Sequence, residues 1–193
     1  MKLDKQFWDD RYKQNETGWD LSGISPPLKA YIDQLKNKDI DILIPGCGNA
    51  YEAEYLNELG FNSVTLLDIS PSLVSQLKIK LQDKKGIDII ESDFFEHQNT
   101  YDLILEQTFF CALDPKLRPQ YVAKMHQLLK PKGKLAGLLF QVEFERQGPP
   151  FGGDTNSYKE LFSPYFEIKT MSTAYNSILP RANNEAFIIL QKK

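Results

Sequence analysis

The sequence predicts an open α/β fold on a mostly parallel sheet, and three observations lead there. From residue 41 onward, short apolar runs alternate with helical periods, the pattern of parallel strands joined by helical crossovers. One of those runs, Ile42-Leu43-Ile44-Pro45, leads directly into a glycine turn, Gly46-Cys47-Gly48. The next run closes on an acid, Asp68, 22 residues after Gly46.

Residues 1–25 place Phe7, Trp8, Tyr12 and Trp19 among charges without a clean amphipathic period, which predicts an irregular arm or lid. Ser25 as N-cap and Pro26-Pro27 in the first turn open a helix whose Leu28, Tyr31, Ile32 and Leu35 share a face. Strands are expected at 42–45, 64–67, 87–90, 103–106 and 135–140, each brief and apolar enough to be covered on both sides. One helix follows Asn49 and stops at Gly60. A second starts with Ser70 as cap and Pro71 in the first turn, and buries Leu73, Val74, Leu77 and Leu81. A third runs from about 115 to 129 and is ended by Lys130-Pro131-Lys132-Gly133. A helix around 158–162 and strands at 166–171 and 185–190 complete the set. Repeats, low-complexity tracts and linkers are absent, so residues 1–193 read as one domain, an arm at 1–25 and a core at 26–193.

Composition removes several classes of function. With 41% hydrophobic and 25% charged residues and a mean hydropathy of −0.41, the chain has the make-up of a globular protein. A net charge of −3 provides no basic field to gather phosphate backbones, which argues against nucleic-acid binding. The apolar runs are far shorter than the ~20 residues of a membrane helix, and MKLDKQFWDD lacks the apolar stretch of a signal peptide. Cys47 and Cys111 lie in unrelated contexts, so free thiols and a cytoplasmic setting are expected; a monomer is expected separately. His97 and His126 have no partners at ligand spacing, and no metal is expected.

The glycine turn would let a ligand approach the backbone at the C-terminal edge of the sheet, although alone it is a weak signal that a tight turn without a ligand also explains. Asp68 strengthens it, because an acid at the end of the second strand can accept both hydroxyls of a ribose. The third glycine of a dinucleotide fingerprint is replaced by Tyr51, which favours a nucleoside ligand without phosphates. Asp93-Phe94, after the third strand, offers a carboxylate to an adenine amino group and a ring face to its plane. Read alone, Asp93 is as readily a surface loop residue.

Longer strings add to this. They are Trp8 with Thr17-Gly18-Trp19-Asp20, Pro45-Gly46-Cys47-Gly48, Leu67-Asp68-Ile69-Ser70, Phe109-Phe110-Cys111-Ala112-Leu113-Asp114-Pro115 with Arg118-Pro119, and Gly148-Pro149-Pro150-Phe151. On these strings, which span nearly the whole chain, the sequence resembles the thiopurine methyltransferase superfamily, and within it the plant-type thiol and halide methyltransferases. The resemblance implies the class I S-adenosylmethionine-dependent methyltransferase fold: a Rossmann-like, seven-stranded, mostly parallel sheet with helices on both faces and an antiparallel last strand. It implies S-adenosyl-L-methionine as cofactor and a small thiol, thiocyanate, hydrosulfide or halide as methyl acceptor. Trp8, Tyr12 and Trp19 would line the cofactor from the arm, Gly46 and Gly48 would pass beneath its methionine part, and Asp68 would hold the ribose. Asp93 and Phe94 would hold the adenine, and Gln107 would join the cofactor contacts. Phe109, Arg118 and Arg181 would meet the acceptor, with Arg118 as the catalytic cation. Tyr12 stands where a second tryptophan is common in the family, and Gln107 where the plant branch frequently has tyrosine.

Aromatic faces suit such a cofactor, because a sulfonium has no donor on sulfur and is attracted to a ring by about 0.5–2 kcal/mol. The arm is expected to close over it. Three other readings share these residues: thiopurine methylation, which needs a flat pocket between the arm and residues 148–158; a nicotinamide-dependent oxidoreductase, which Tyr51 disfavours; and a non-catalytic adenosyl-binding protein.

Overall fold

Seven strands, β1 (Ile42–Pro45), β2 (Val64–Asp68), β3 (Ile87–Glu91), β4 (Tyr101–Gln107), β5 (Leu129–Phe140), β6 (Phe166–Thr173) and β7 (Glu185–Lys192), form one sheet in the order β3-β2-β1-β4-β5-β7-β6. This computed structural model describes residues 2–145 and 148–193. Strands β1 to β5 pair in parallel, and β7 runs antiparallel to both β5 and β6. The expected sheet, with its antiparallel last strand, is therefore present.

Alternation along β1 shows why both faces must be covered: Ile42 and Ile44 join one core, and Leu43 the other. The first core takes its helical side from α2 (Pro26–Ile32), α3 (Tyr51–Glu58) and α4 (Pro71–Lys80) through Leu28, Leu56 and Leu73. The second takes it from α5 (Arg118–Leu128) and α6 (Thr155–Phe162) through Tyr121, Met125 and Phe162. Connections leave β1 and β4 toward opposite sides of the sheet, and ligands of open α/β sheets bind in the crevice at such a switch point.

Local signals held in part. Ser70 accepts from the Leu73 N–H at 3.2 Å and caps α4 as expected. Ser25 makes no side-chain cap; its own N–H donates instead to the buried Glu52 carboxylate at 3.2 Å, and α2 stops before Leu35. The helix expected from 115 divides into a 3-10 turn at Pro115–Leu117 and α5, with Pro119 in the first turn of α5. Residues 130–133 end α5 but lie within β5, as a bulge where pairing to β4 moves from Tyr101↔Leu129 to Leu103↔Lys134. The arm, described from Lys2, is not irregular: it carries α1 (Lys5–Lys13). That helix packs through Asp9 and aromatic rings rather than an aliphatic stripe, so periodicity could not reveal it. Among the described residues no helix is long and apolar enough to cross a membrane, and no group of metal-binding side chains gathers.

Candidate active site

A cavity of about 650 Å³ opens at the C-terminal ends of β1, β2 and β4 and is walled on its outer side by the arm. At its floor β1 turns through Gly46 and Gly48, both in the left-handed region at φ +57° and +51°. A Cβ on Gly46 would collide with the Phe109 ring, so glycine is required both by conformation and by close approach.

Asp68 closes β2 beside this turn. Its carboxylate accepts from the Ser70 N–H at 3.0 Å, and it faces the cavity while almost wholly buried. Burial pushes its carboxyl up to about 6, against the opposing help of backbone donors at Ser70, Gly48 and Ile69. Opposite it, Trp19 packs edge-on against Trp8 and Tyr12, with ring centroids 5.6 Å away in both pairs. Asp20 then ties the end of the arm to the glycine turn, accepting from Asn49 Nδ2 at 2.6 Å and from the Tyr51 hydroxyl at 3.3 Å. The position of the missing third glycine is thus occupied by a contact to the arm.

The other end of the cavity is shaped by the turn after β4. Glu106, fully buried, accepts from the N–H groups of Phe109 (2.8 Å) and Phe110 (2.9 Å) and from the Tyr121 hydroxyl (2.5 Å). It pins the turn through Thr108, at φ +60°, that lays Phe109 over Gly46 and brings Cys111 and Leu113 to the cavity wall. The segment 148–153 roofs this end, held by Phe151 N–H to Cys111 O (2.7 Å) and Gly153 N–H to Val142 O (3.1 Å). Phe140, Phe144, Pro149 and Pro150 give the wall an apolar character. Arg181 is its buried cation: Nη2 donates to Trp19 O at 2.8 Å, and Nη1 lies 3.2 Å from the Glu185 carboxylate.

Of the residues expected from sequence, the cavity brings together Trp8, Tyr12, Trp19, Gly46, Asp68, Asp93, Phe94, Phe109 and Arg181. Three stand outside it. Gly48 lies beneath the wall, with its N–H toward Asp68. Gln107 is not among the lining residues, and both polar atoms of its amide are buried without a partner among the described residues. Arg118 does not line the cavity: its guanidinium donates to Gly152 O (2.8 Å) and Phe151 O (3.4 Å) and lies over the Phe110 and Tyr158 rings. It clamps the roof from outside. Sequence reasoning passed over Glu106, although an acid ending an otherwise apolar strand is a signal of a buried anchor.

Residues 3–191 match the thiopurine S-methyltransferase (TPMT) family over nearly the full chain. This chain belongs to that family. Among relatives, it is 31% identical over 184 residues to a probable thiol methyltransferase 2 of Arabidopsis thaliana, covering 92% of this chain and 81% of that one. A thiocyanate methyltransferase 1 of Brassica oleracea is 26% identical over the same shares of the two chains. A thiopurine S-methyltransferase of Vibrio parahaemolyticus is 26% identical, covering 84% of this chain and 83% of that one. In fold, the chain resembles 1,6-didemethyltoxoflavin-N1-methyltransferase of Burkholderia thailandensis, solved with S-adenosylhomocysteine, at a TM-score of 0.75 and 17% identity, covering 98% of this chain and 87% of that one. The fold is that of the class I methyltransferases.

Proposed function

We propose that this family member transfers the methyl group of S-adenosylmethionine to a soft nucleophile, a small thiol, hydrosulfide, thiocyanate or halide. The observation that carries the reading is that Trp8, Tyr12 and Trp19 stand on one cavity with Gly46 and Asp68. These residues fit an adenosyl sulfonium: rings for the cation, a carboxylate for two ribose hydroxyls, and a glycine turn that admits close backbone approach. Asp93 and Phe94 complete the adenine end. The plant relatives' names support the acceptor class.

When bound, S-adenosylmethionine supplies an electrophilic methyl group for in-line displacement. The chain's own part is alignment and the exclusion of water. Phe109 and the roof at 148–153 narrow the acceptor end, and Arg181 offers donors whose charge Glu185 tempers. Neither lysine nor histidine lines the cavity among the described residues. None is needed, because a thiol is already a few per cent thiolate at neutral pH and a halide is always anionic. The arm (1–25) and core (26–193) act in this reading as one domain.

A second reading, transfer to a bulkier thiol such as a thiopurine, is favoured by the size and apolar wall of the cavity. Offering iodide, thiocyanate, hydrosulfide and a thiopurine in parallel, with detection of the methylated products, decides between the two. Methylated inorganic anions support the first, and turnover confined to the thiopurine supports the second. Absence of turnover with every acceptor, while S-adenosylhomocysteine binds, would leave a non-catalytic adenosyl-binding protein.

A further inference from the structure

The arm meets the core through a buried charge. Asp9, in the middle of α1, is 4% exposed, and nothing in the reading of the cavity uses it. Its Oδ1 accepts from the Ser70 hydroxyl at 2.8 Å and from the Ser72 N–H at 2.9 Å, and Lys13 Nζ lies 2.5 Å from Oδ2. Ser70 and Ser72 begin α4, where the first backbone N–H groups have no partner within the helix and the dipole favours an anion. Ser70 satisfies the Leu73 N–H itself, and Asp9 satisfies the Ser72 N–H from 63 residues away. Burial opposes the charge on Asp9, but Lys13 and the serine donors outweigh it and hold the carboxyl below its usual range.

One residue connects this contact to the ribose end of the cavity. Ser70 gives its hydroxyl to Asp9 and its N–H to Asp68. On the arm side, Asp9 is flanked on α1 by Trp8 and Tyr12, both of which line the cavity, while Asp9 does not. The same buried carboxylate therefore fixes the angle at which the arm presents its rings and the geometry of the turn that carries Asp68.

We propose that Asp9 is a positioning residue for the adenosyl site: by capping α4 from the arm, it makes closure of the arm and ligand binding at Asp68 one coupled event. The proposal rests on the reading of the cavity as an adenosyl site. Coupling of this kind is reciprocal, so whatever docks the arm raises affinity by the same factor by which ligand tightens the arm. Both tryptophans of the chain, Trp8 and Trp19, belong to the arm. Intrinsic tryptophan emission therefore reports on the arm alone.

The test compares the full-length wild type with Asp9→Ala and with Asp9→Asn, which keeps the side chain's shape and an accepting oxygen. Each is titrated with S-adenosylhomocysteine by calorimetry and by tryptophan emission, and protease cleavage of the arm is followed with and without ligand. Far-UV circular dichroism checks that the sheet is intact. We expect about tenfold weaker binding for Asp9→Ala and about threefold for Asp9→Asn, since hydrogen bonds to a charged group exceed those to an amide. Arm cleavage without ligand should rise in the same order. A released arm with unchanged affinity would overturn the coupling, and unchanged emission and cleavage would overturn the latch. If wild type fails to bind S-adenosylhomocysteine, the adenosyl reading falls instead, and arm cleavage without ligand still decides whether Asp9 holds the arm.

Discussion

Glu106 is held in place by two backbone N–H groups and a tyrosine hydroxyl, yet burial pushes its carboxyl up to about 7 from an ordinary value of 4.5. An acid whose folded value lies above its unfolded one binds its proton more tightly in the native state. Its contribution to stability is full below about 4.5 and is lost as the pH rises through about 7, a difference of about 3 kcal/mol between the limits. Asp68, raised from 3.8 to about 6, acts in the same direction. We therefore expect the protein without ligand to lose stability between about pH 4 and pH 7 in urea unfolding. Glu106→Gln, which keeps an acceptor for the Phe109 and Phe110 N–H groups, should flatten that dependence; equal slopes in the two proteins would remove Glu106 as its source. Roles of this kind were poorly legible in sequence. Asp68 was readable because it completes a spaced pattern, an acid closing an apolar strand 22 residues after the glycine turn at Gly46. Asp9 and Arg118 act through partners 63 and 34 residues away that no spacing announces, and the strand-end position of Glu106 marks it as buried without naming Tyr121, 15 residues on, as its partner.

At the scale of elements, the roof at 148–153 gives Arg118 a part other than the one its sequence context implied. A cation aimed at the acceptor would affect anions most, whereas a clamp on Phe151 O and Gly152 O affects whatever lies beneath the roof. Arg118→Ala should therefore cost about 2 kcal/mol of stability. It should raise KM for charged and neutral acceptors alike and leave S-adenosylhomocysteine affinity unchanged. A rise in KM confined to anionic acceptors would return the guanidinium to the acceptor end. Elements whose signals are local, such as α4 with Ser70 and Pro71, were legible to within a residue or two. The helix of the arm was hidden because its buried face is made of an acid and aromatic rings, and the bulge at 130–133 because the register shift is set by the neighbouring strand.

For the whole molecule, the glycine turn of β1 and the turn after β4 lie side by side at the point where the strand order reverses and the connections leave for opposite faces of the sheet, and the arm covers that point. Parallel order was legible from short, doubly apolar strands alternating with helices. That the arm, the two turns and the roof share one cavity was not, because contacts between distant segments leave no periodic trace. The central claim is that this cavity is an adenosyl site organised by Asp68. Calorimetric titration of wild type and Asp68→Ala with S-adenosylhomocysteine, with NAD as comparison, tests it most directly. The account predicts one S-adenosylhomocysteine bound per wild-type chain, no measurable NAD binding, and at least tenfold weaker S-adenosylhomocysteine binding by a folded Asp68→Ala. No S-adenosylhomocysteine binding by wild type, tighter binding of NAD, or full affinity in Asp68→Ala would contradict it.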